Sequence, residues 1–420
     1  MRTKTSMLYT RQKHGQWRTM REEMMNYRKP GVMALKNAAS FNTIERMPLD
    51  EVRRIQEDLL RRQMGYLKEN STLYQKKLAA AGVDFDDVQT IADLSKVPFT
   101  VKQDLRDSLA SAPPYGEHMT APLSEIVQMQ ASSGTTGSPA YVAMTELDVE
   151  IWQDGTARDL FACGIRPGDR VLHGFSMSKG FVGGIPMFQA VQYLGAIDIP
   201  VGADGGVDRL LIAARDMRPR AILGTPNFLL HLAEMAPKLI GMDAKDLGVE
   251  VLVVGGEPGG GIPAIRQAIQ DAWGAECREL MGGTDLGVSY WGECEAQQGM
   301  HMNSPDYVLA ELIDPESGQV VPFEKGQTGE LVYTALQRQA SPVLRFRSGD
   351  HVIVTGTECS CGRTGPMIRC FGRTDDMLIV RGVNVFPSAI QDIIASMSET
   401  NGVMRVWADF DGHTTQSNLK

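Results

Sequence analysis

Short apolar runs ending in glycine, separated by stretches of helical spacing, constrain this chain more than any other feature. Arg170-Val171-Leu172-His173-Gly174, Arg220-Ala221-Ile222-Leu223-Gly224 and the run from Val249 to Gly256 each read as a buried strand entering a turn. Between them, helical patterns fall at about residues 183–195, 206–217, 226–237 and 262–273. This alternation is that of a largely parallel sheet covered by helices. Ligands in such sheets bind beyond the carboxyl ends of the strands, so Gly174, Gly224 and Gly255 mark the expected rim of a site. Upstream, Val52, Ile55, Leu59, Met64 and Leu67 predict a helix over 51–81, and the stretch around Pro98, Pro113 and Pro114 reads as loop. After residue 304 the pattern turns β-rich, with strands expected from Val308 to Ile313 and from Gly329 to Thr334.

The run Ser132-Ser133-Gly134-Thr135-Thr136-Gly137-Ser138-Pro139 follows a strand-like segment, Ile126 to Gln130. Its glycines permit left-handed backbone angles, so successive amides can converge on an anion, and its hydroxyls add further donors. It is not a Walker P-loop, because GxxxxGK[ST] is absent. By composition alone it is equally a solvent-facing polar loop.

Bulk properties narrow the field. A net charge of -9 argues against a nucleic-acid backbone as partner. No apolar run reaches the roughly 18 residues needed to span a bilayer, and the basic first thirty residues lack a signal-peptide core, so a cytoplasmic protein is expected. In a reducing compartment the six cysteines are not expected to form disulfides. Cys294, His301, Cys359 and Cys361 would make a Cys3His set suited to structural zinc if the fold joins the two segments, with free buried cysteines as the alternative. Four protein ligands would leave such a metal no open position for catalysis.

The order of motifs resembles the acyl-adenylate-forming enzymes, and within them the phenylacetate–CoA ligase family. Ser132 to Pro139 resembles the phosphate loop of that superfamily, Gly255-Gly256-Glu257-Pro258 its adenine-side turn, and Gly282-Gly283-Thr284-Asp285 its Tyr-Gly-x-Thr-Glu segment. Tyr333-Thr334 through Asp350 resembles the ribose-binding segment, and Gly372 to Pro387 the hinge. Asn70-Ser71, Lys96 to Thr100 and Asp104-Leu105-Arg106 also read like the family.

The resemblance implies an α/β fold: a large domain of parallel-rich sheets with flanking helices over 51–374, a β-rich subdomain at about 304–372, and a short, truncated C-terminal domain over 375–420. Residues 1–50 would form a basic arm. It further implies that Ser132, Ser133, Gly134, Thr135, Thr136 and Gly137 hold the outer phosphates of ATP, and that Gly256, Glu257, Pro258 and Gly283 border the nucleotide. Thr284 would touch the α-phosphate, Asp285 would hold Mg2+, and both would be catalytic. Asp350, expected at a turn beside Arg345 and Arg347, would bind the ribose hydroxyls, since a carboxylate accepts two hydrogen bonds in parallel. Arg373 would be a second nucleotide contact and Asp375 the hinge. Tyr141, Phe175, Met177, Phe181 and Met281 would line a pocket for a flat aromatic acid, although residues of each kind are more often plain core than substrate wall; His173 reads better as a satisfied core histidine.

The implied function is ATP-dependent ligation of a carboxylic acid, an aromatic one, to CoA through an acyl-adenylate, with ATP, Mg2+ and CoA required. Three positions depart from the family: Ser138 replaces a lysine, Asp285 a glutamate and Met281 an aromatic. The catalytic lysine of the C-terminal domain has no counterpart. Those departures keep two alternatives open, transfer of the acyl group to a carrier protein or amine, and a non-catalytic nucleotide-binding protein. Nothing in the sequence excludes a homodimer.

Overall fold

The computed structural model describes residues 38–131, 141–178 and 180–374, with short stretches between 378 and 419. The Ser132–Pro139 run, the basic arm through residue 37 and Asp375 therefore lie outside the described residues.

The helix expected over 51–81 is two helices, α1 (Leu49–Asn70) and α2 (Thr72–Ala81). Ser71 breaks the run with extended backbone, and its buried hydroxyl accepts from the Tyr74 amide at 3.2 Å, capping the second helix. Leu59, Leu60, Met64 and Leu67 then pack against Leu309, Leu336 and Leu344 far along the chain. The loop reading between Pro98 and Pro113 needs correction as well. α3 (Lys102–Ser111) forms there, because Asp104 accepts from the Val101 amide at 2.8 Å and satisfies one of the first-turn donors.

β1 (Ile126–Ala131) and β2 (Tyr141–Thr145) make an antiparallel hairpin whose last pair, Ala131 with Tyr141, opens into residues 132–140. α4 (Glu146–Ala162) is buried along most of its length. Next come β3 (Arg170–His173), α5 (Ile185–Leu194), β4 (Ile197–Ile199), α6 (Val207–Met217), β5 (Ala221–Gly224), α7 (Pro226–Ile240), β6 (Val251–Val254) and α8 (Pro263–Trp273). β4, β3, β5 and β6 pair in parallel, as the alternating pattern requires. The uninterrupted apolar sequence of β5 and β6 follows from burial on both faces.

β7 (Glu276–Gly283) joins two kinds of sheet. Its first half pairs in parallel with β6 as far as Val254 with Glu279, and its second half pairs antiparallel with β8 (Gly287–Glu293) from Leu280 onward. β9 (Met300–Met302), β10 (Val308–Ile313), β11 (Val320–Val321), β12 (Thr328–Ala335), β13 (Phe346–Gly356) and β14 (Met367–Arg373) complete the antiparallel part. The order is β11-β10-β12-β13-β14-β9-β8-β7-β6-β5-β3-β4, twelve strands in one sheet. β14 and β9 share only two residue pairs, Met367 with His301 and Ile368 with Met300, so this is a narrow seam.

Candidate functional site

The turn after β6 is shaped by the continuation of β7 past it. A Cβ at Gly255 would lie 2.8 Å from the Leu280 carbonyl oxygen, so only glycine fits, and Gly256 follows with φ +85°. Glu257 turns its side chain away from the turn: Oε1 accepts from the Asn227 amide at 2.9 Å, in the first turn of α7, where a negative charge is favoured. The backbone edge of Gly256 to Pro258 is thereby left accessible, as an adenine-side surface needs.

β7 and β8 are linked by the turn Thr284-Asp285-Leu286, closed by the Leu286 amide on the Gly283 carbonyl at 2.9 Å. Thr284 and Asp285 are half-buried, and neither side chain takes a hydrogen bond from a described residue. Asp285 and Tyr141 line one small cavity with His118 and Ser341, which places the end of the β1–β2 hairpin beside this turn.

Asp350 does not sit at a turn. It lies within β13, paired in register with Arg373 of β14, and the Arg373 guanidinium donates to Asp350 Oδ1. Arg345 and Arg347, expected beside it, instead grip Glu311 and Glu330. Asp350 and the adenine-side loop converge on β14. Arg369 packs against Gly261, and Arg373 further along the same strand pairs with Asp350. The Asp350 carboxylate and the glycine loop after β6 thus border the same strand.

The loop 174–184 connects β3 to α5 and carries the aromatic pair Phe175 and Phe181, edge-on with centroids 6.3 Å apart. A Cβ at Gly256 would lie 4.0 Å from Phe175 Cε1, so this pair adjoins the adenine-side turn. Three contacts fix the loop. Asp204 accepts from the Ser176 hydroxyl at 2.8 Å and from the Met177 and Ser178 amides at 2.8 and 3.0 Å. The Ala131 amide donates to the Gly180 carbonyl at 3.0 Å, tying the loop to the hairpin. His173 uses both ring nitrogens, one 2.8 Å from the Gly183 carbonyl and the other 3.2 Å from Asp198, and is fully buried as a structural histidine. Met281 is half-buried against the main core, and Tyr141 is 47 % exposed and faces Asp285, apart from the phenylalanine pair.

On the β9–β14 seam the donor atoms of Cys294, His301, Cys359 and Cys361 all lie within 4.8 Å of one another. Cys294 Sγ is 3.5 Å from Cys359 Sγ, and Cys361 Sγ is 3.5 Å from His301 Nε2. A tetrahedron with ~2.3 Å metal–sulfur bonds has sulfur–sulfur edges of about 3.8 Å, so the donor set fits zinc. His301 Nδ1 lies 3.2 Å from the Gly365 carbonyl, which orients the ring with Nε2 toward the cysteines. Hydrogen bonding from Cys294, then from His301, holds the Cys361 thiol far below the ordinary cysteine range.

Sequence reasoning did not single out Asp204 or Arg338. Asp204 lies in a glycine-flanked turn whose spacing to Ser176 carries no pattern, and Arg338 reads as one of many surface-type arginines.

No protein-family profile matches the chain. Among curated proteins, the phenylacetate–coenzyme A ligase of Thermus thermophilus is 35 % identical over 383 residues, 90 % of this chain and 82 % of that one. That of Escherichia coli is 33 % identical over 384 residues, 90 % and 84 % of the two chains. Among solved structures, 2-hydroxyisobutyryl-CoA ligase in a postadenylation state with an acyl-AMP superposes with TM-score 0.84 at 30 % identity, covering 91 % of this chain and 80 % of the other. Its open form with acyl-AMP and CoA gives TM-score 0.79, covering 90 % and 87 %. With its glycine turn, paired carboxylate and converging strands, the chain belongs to the phenylacetate–coenzyme A ligase family of acyl-adenylate-forming enzymes.

Proposed function

We propose that this protein is an AMP-forming acid–CoA ligase for a phenylacetate-type aromatic acid. The carboxylate attacks the α-phosphate of ATP, giving an acyl-adenylate and pyrophosphate. The thiol of CoA then attacks the acyl carbon and displaces AMP. The observation that carries the reading is the approach to one strand, β14, of the loop that follows the Gly255–Pro258 turn, through Gly261 on Arg369, and of Asp350, through Arg373. Phe175 and Phe181 beside that turn supply a flat wall for an aryl group.

Asp350 would accept the ribose hydroxyls, with Arg373 fixing its carboxylate. The Ser132–Gly137 run would supply donors to the outer phosphates, and Thr284 a hydroxyl to the α-phosphate. Asp285 would hold Mg2+, which lowers the cost of gathering a carboxylate and a triphosphate in one cleft. Cys294, His301, Cys359 and Cys361 would hold zinc that braces the seam and takes no part in the chemistry. The boundary between large domain and C-terminal unit would fall at Asp375.

The test is acid-dependent pyrophosphate release followed by CoA-dependent AMP release, over aryl acids and 2-hydroxyisobutyrate. Phenylacetate-type acids are expected to give the highest kcat/KM. Asp350→Ala is expected to raise the KM for ATP by roughly 10- to 100-fold, the worth of a lost charge-assisted hydrogen bond. A preference for 2-hydroxyisobutyrate would overturn the choice of acid, and no turnover with any acid the enzyme assignment.

A further inference from the structure

Arg338 stands out among the buried cations. It is 5 % exposed and forms no ion pair among the described residues. Its Nη1 donates to the Asp285 carbonyl at 2.5 Å and to the Leu286 carbonyl at 3.3 Å, so it grips the Thr284–Leu286 turn from beneath. Nε and Nη2 are buried without a hydrogen-bond partner among the described residues. The guanidinium lies 5.2 Å from the Trp152 ring centroid, which stacks favourably but does not neutralise it.

Among the described residues, the neighbouring acidic groups make no ion pair with it. Asp148 engages Thr145 and the amides of Gln339 and Ala340, at 2.8 and 2.9 Å. His118, which shares the small cavity with Asp285 and Tyr141, is pushed down to about 4 by burial first and by the Arg338 charge second, and so is neutral. The backbone that carries Arg338 is locked from several sides. Gln63 donates to its carbonyl at 2.9 Å, Gln337 donates to the Asp306 carbonyl at 2.9 Å, and Tyr66 donates to the Gln339 carbonyl at 3.0 Å. A buried cation with unmatched donors is costly, and a rigid mount means that it cannot relax toward solvent.

We propose that Arg338 is a positioning residue of the nucleotide cleft, holding the Thr284–Asp285 turn by its carbonyls and placing a positive charge, with no ion pair among the described residues, at the turn that would face the polyphosphate of ATP. The inference rests on the reading that this turn faces the nucleotide phosphates. Fixed charge of this kind acts without reorganisation, which is why it is effective in a water-poor cleft.

The charge acts on ATP far more than on AMP, and that asymmetry separates it from a general structural role. Calorimetric titration of the full chain with ATP and with AMP, for wild type, Arg338→Lys and Arg338→Met, tests it. Arg338→Met is expected to weaken ATP binding by at least ~10-fold and AMP binding by a smaller factor, about threefold, through the loosened Thr284 turn. Arg338→Lys, which keeps the charge but cannot hold two carbonyls as a fork, should recover most of the ATP affinity while lowering kcat. Equal losses for ATP and AMP, unchanged ATP affinity in Arg338→Met, or a Lys variant as weak as the Met variant would each overturn the proposal. Should Arg338→Met fail to fold, the Lys variant still decides, since charge retention predicts near-wild-type ATP affinity. Wild type that binds both nucleotides yet turns over no acid would defeat the ligase reading alone; wild type that binds neither would defeat both.

Discussion

At the scale of the residue, burial sets the chemistry of several carboxylates more strongly than pairing does. Asp159 of α4 is fully buried, accepts from the Ser289 hydroxyl at 2.5 Å and from the Asn303 amide at 2.7 Å, and has no ion pair among the described residues. Desolvation pushes it up to about 7 despite those donors. The folded state thus binds this proton more tightly than the unfolded chain does. Its stabilising effect is complete below the unfolded value, about 3.9, and is lost as pH rises through 7. Asp159→Asn is expected to equal wild type near pH 4 and to exceed it above pH 7 by up to ~4 kcal/mol. Urea unfolding at several pH values checks this; two parallel curves would refute it. The legibility of single residues follows the same line. Asp350 and Arg373 were readable from their motifs, whereas their pairing was not, because it depends on the register of β13 against β14. Arg345 and Arg347 stood nearer in sequence, but Glu311 and Glu330 claim them through strand neighbours that no local pattern reveals.

At the scale of the element, the loop 174–184 ties the proposed acid wall, Phe175 and Phe181, to the β1–β2 hairpin. Asp204 clamps its first half through Ser176, Met177 and Ser178, and the hydrogen bond from Ser176 chiefly holds the carboxylate below its usual range. Removal of that clamp should release the Phe175–Phe181 wall without disturbing the turn after β6. Asp204→Ala is expected to raise the KM for the acid about 10-fold and to leave the KM for ATP within about twofold, since misplacement of a binding wall acts on the substrate it contacts. Steady-state kinetics with each substrate varied in turn would show it, and an equal rise in both constants would count against it. The strands and helices from 170 to 273 were legible because period and glycine placement agree there. The helix broken at Ser71 and the helix Lys102–Ser111 were not, because side-chain caps decide them and an apolar count does not. Strand β7 also resisted reading: nothing local announces that it changes partner orientation at Leu280.

At the scale of the whole molecule, the two halves of the large sheet meet where β9 and β14 share two residue pairs, and the Cys3His cluster lies on that seam. The turn after β6 is on one flank and Asp350 on the other, so zinc would keep the two sides of the proposed nucleotide cleft aligned. Metal analysis is expected to find about one zinc per chain, and Cys361→Ser or chelation to lower the Tm by at least ~5 °C while raising the KM for ATP. Zinc-free protein with an unchanged melting curve would dispose of the idea. The cysteines themselves were visible in the sequence, but only the fold could bring 294–301 to 359–361, since that contact is long-range. Cys294 and His301 precede the chain's passage from β9 to β10, and Cys359 and Cys361 come after it. A recombinant hybrid of two relatives with its junction in that passage would draw half of the cluster from each parent. Such hybrids should survive only when both parents carry the matching half, so cysteine inheritance, rather than overall kinship, would decide which crosses fold.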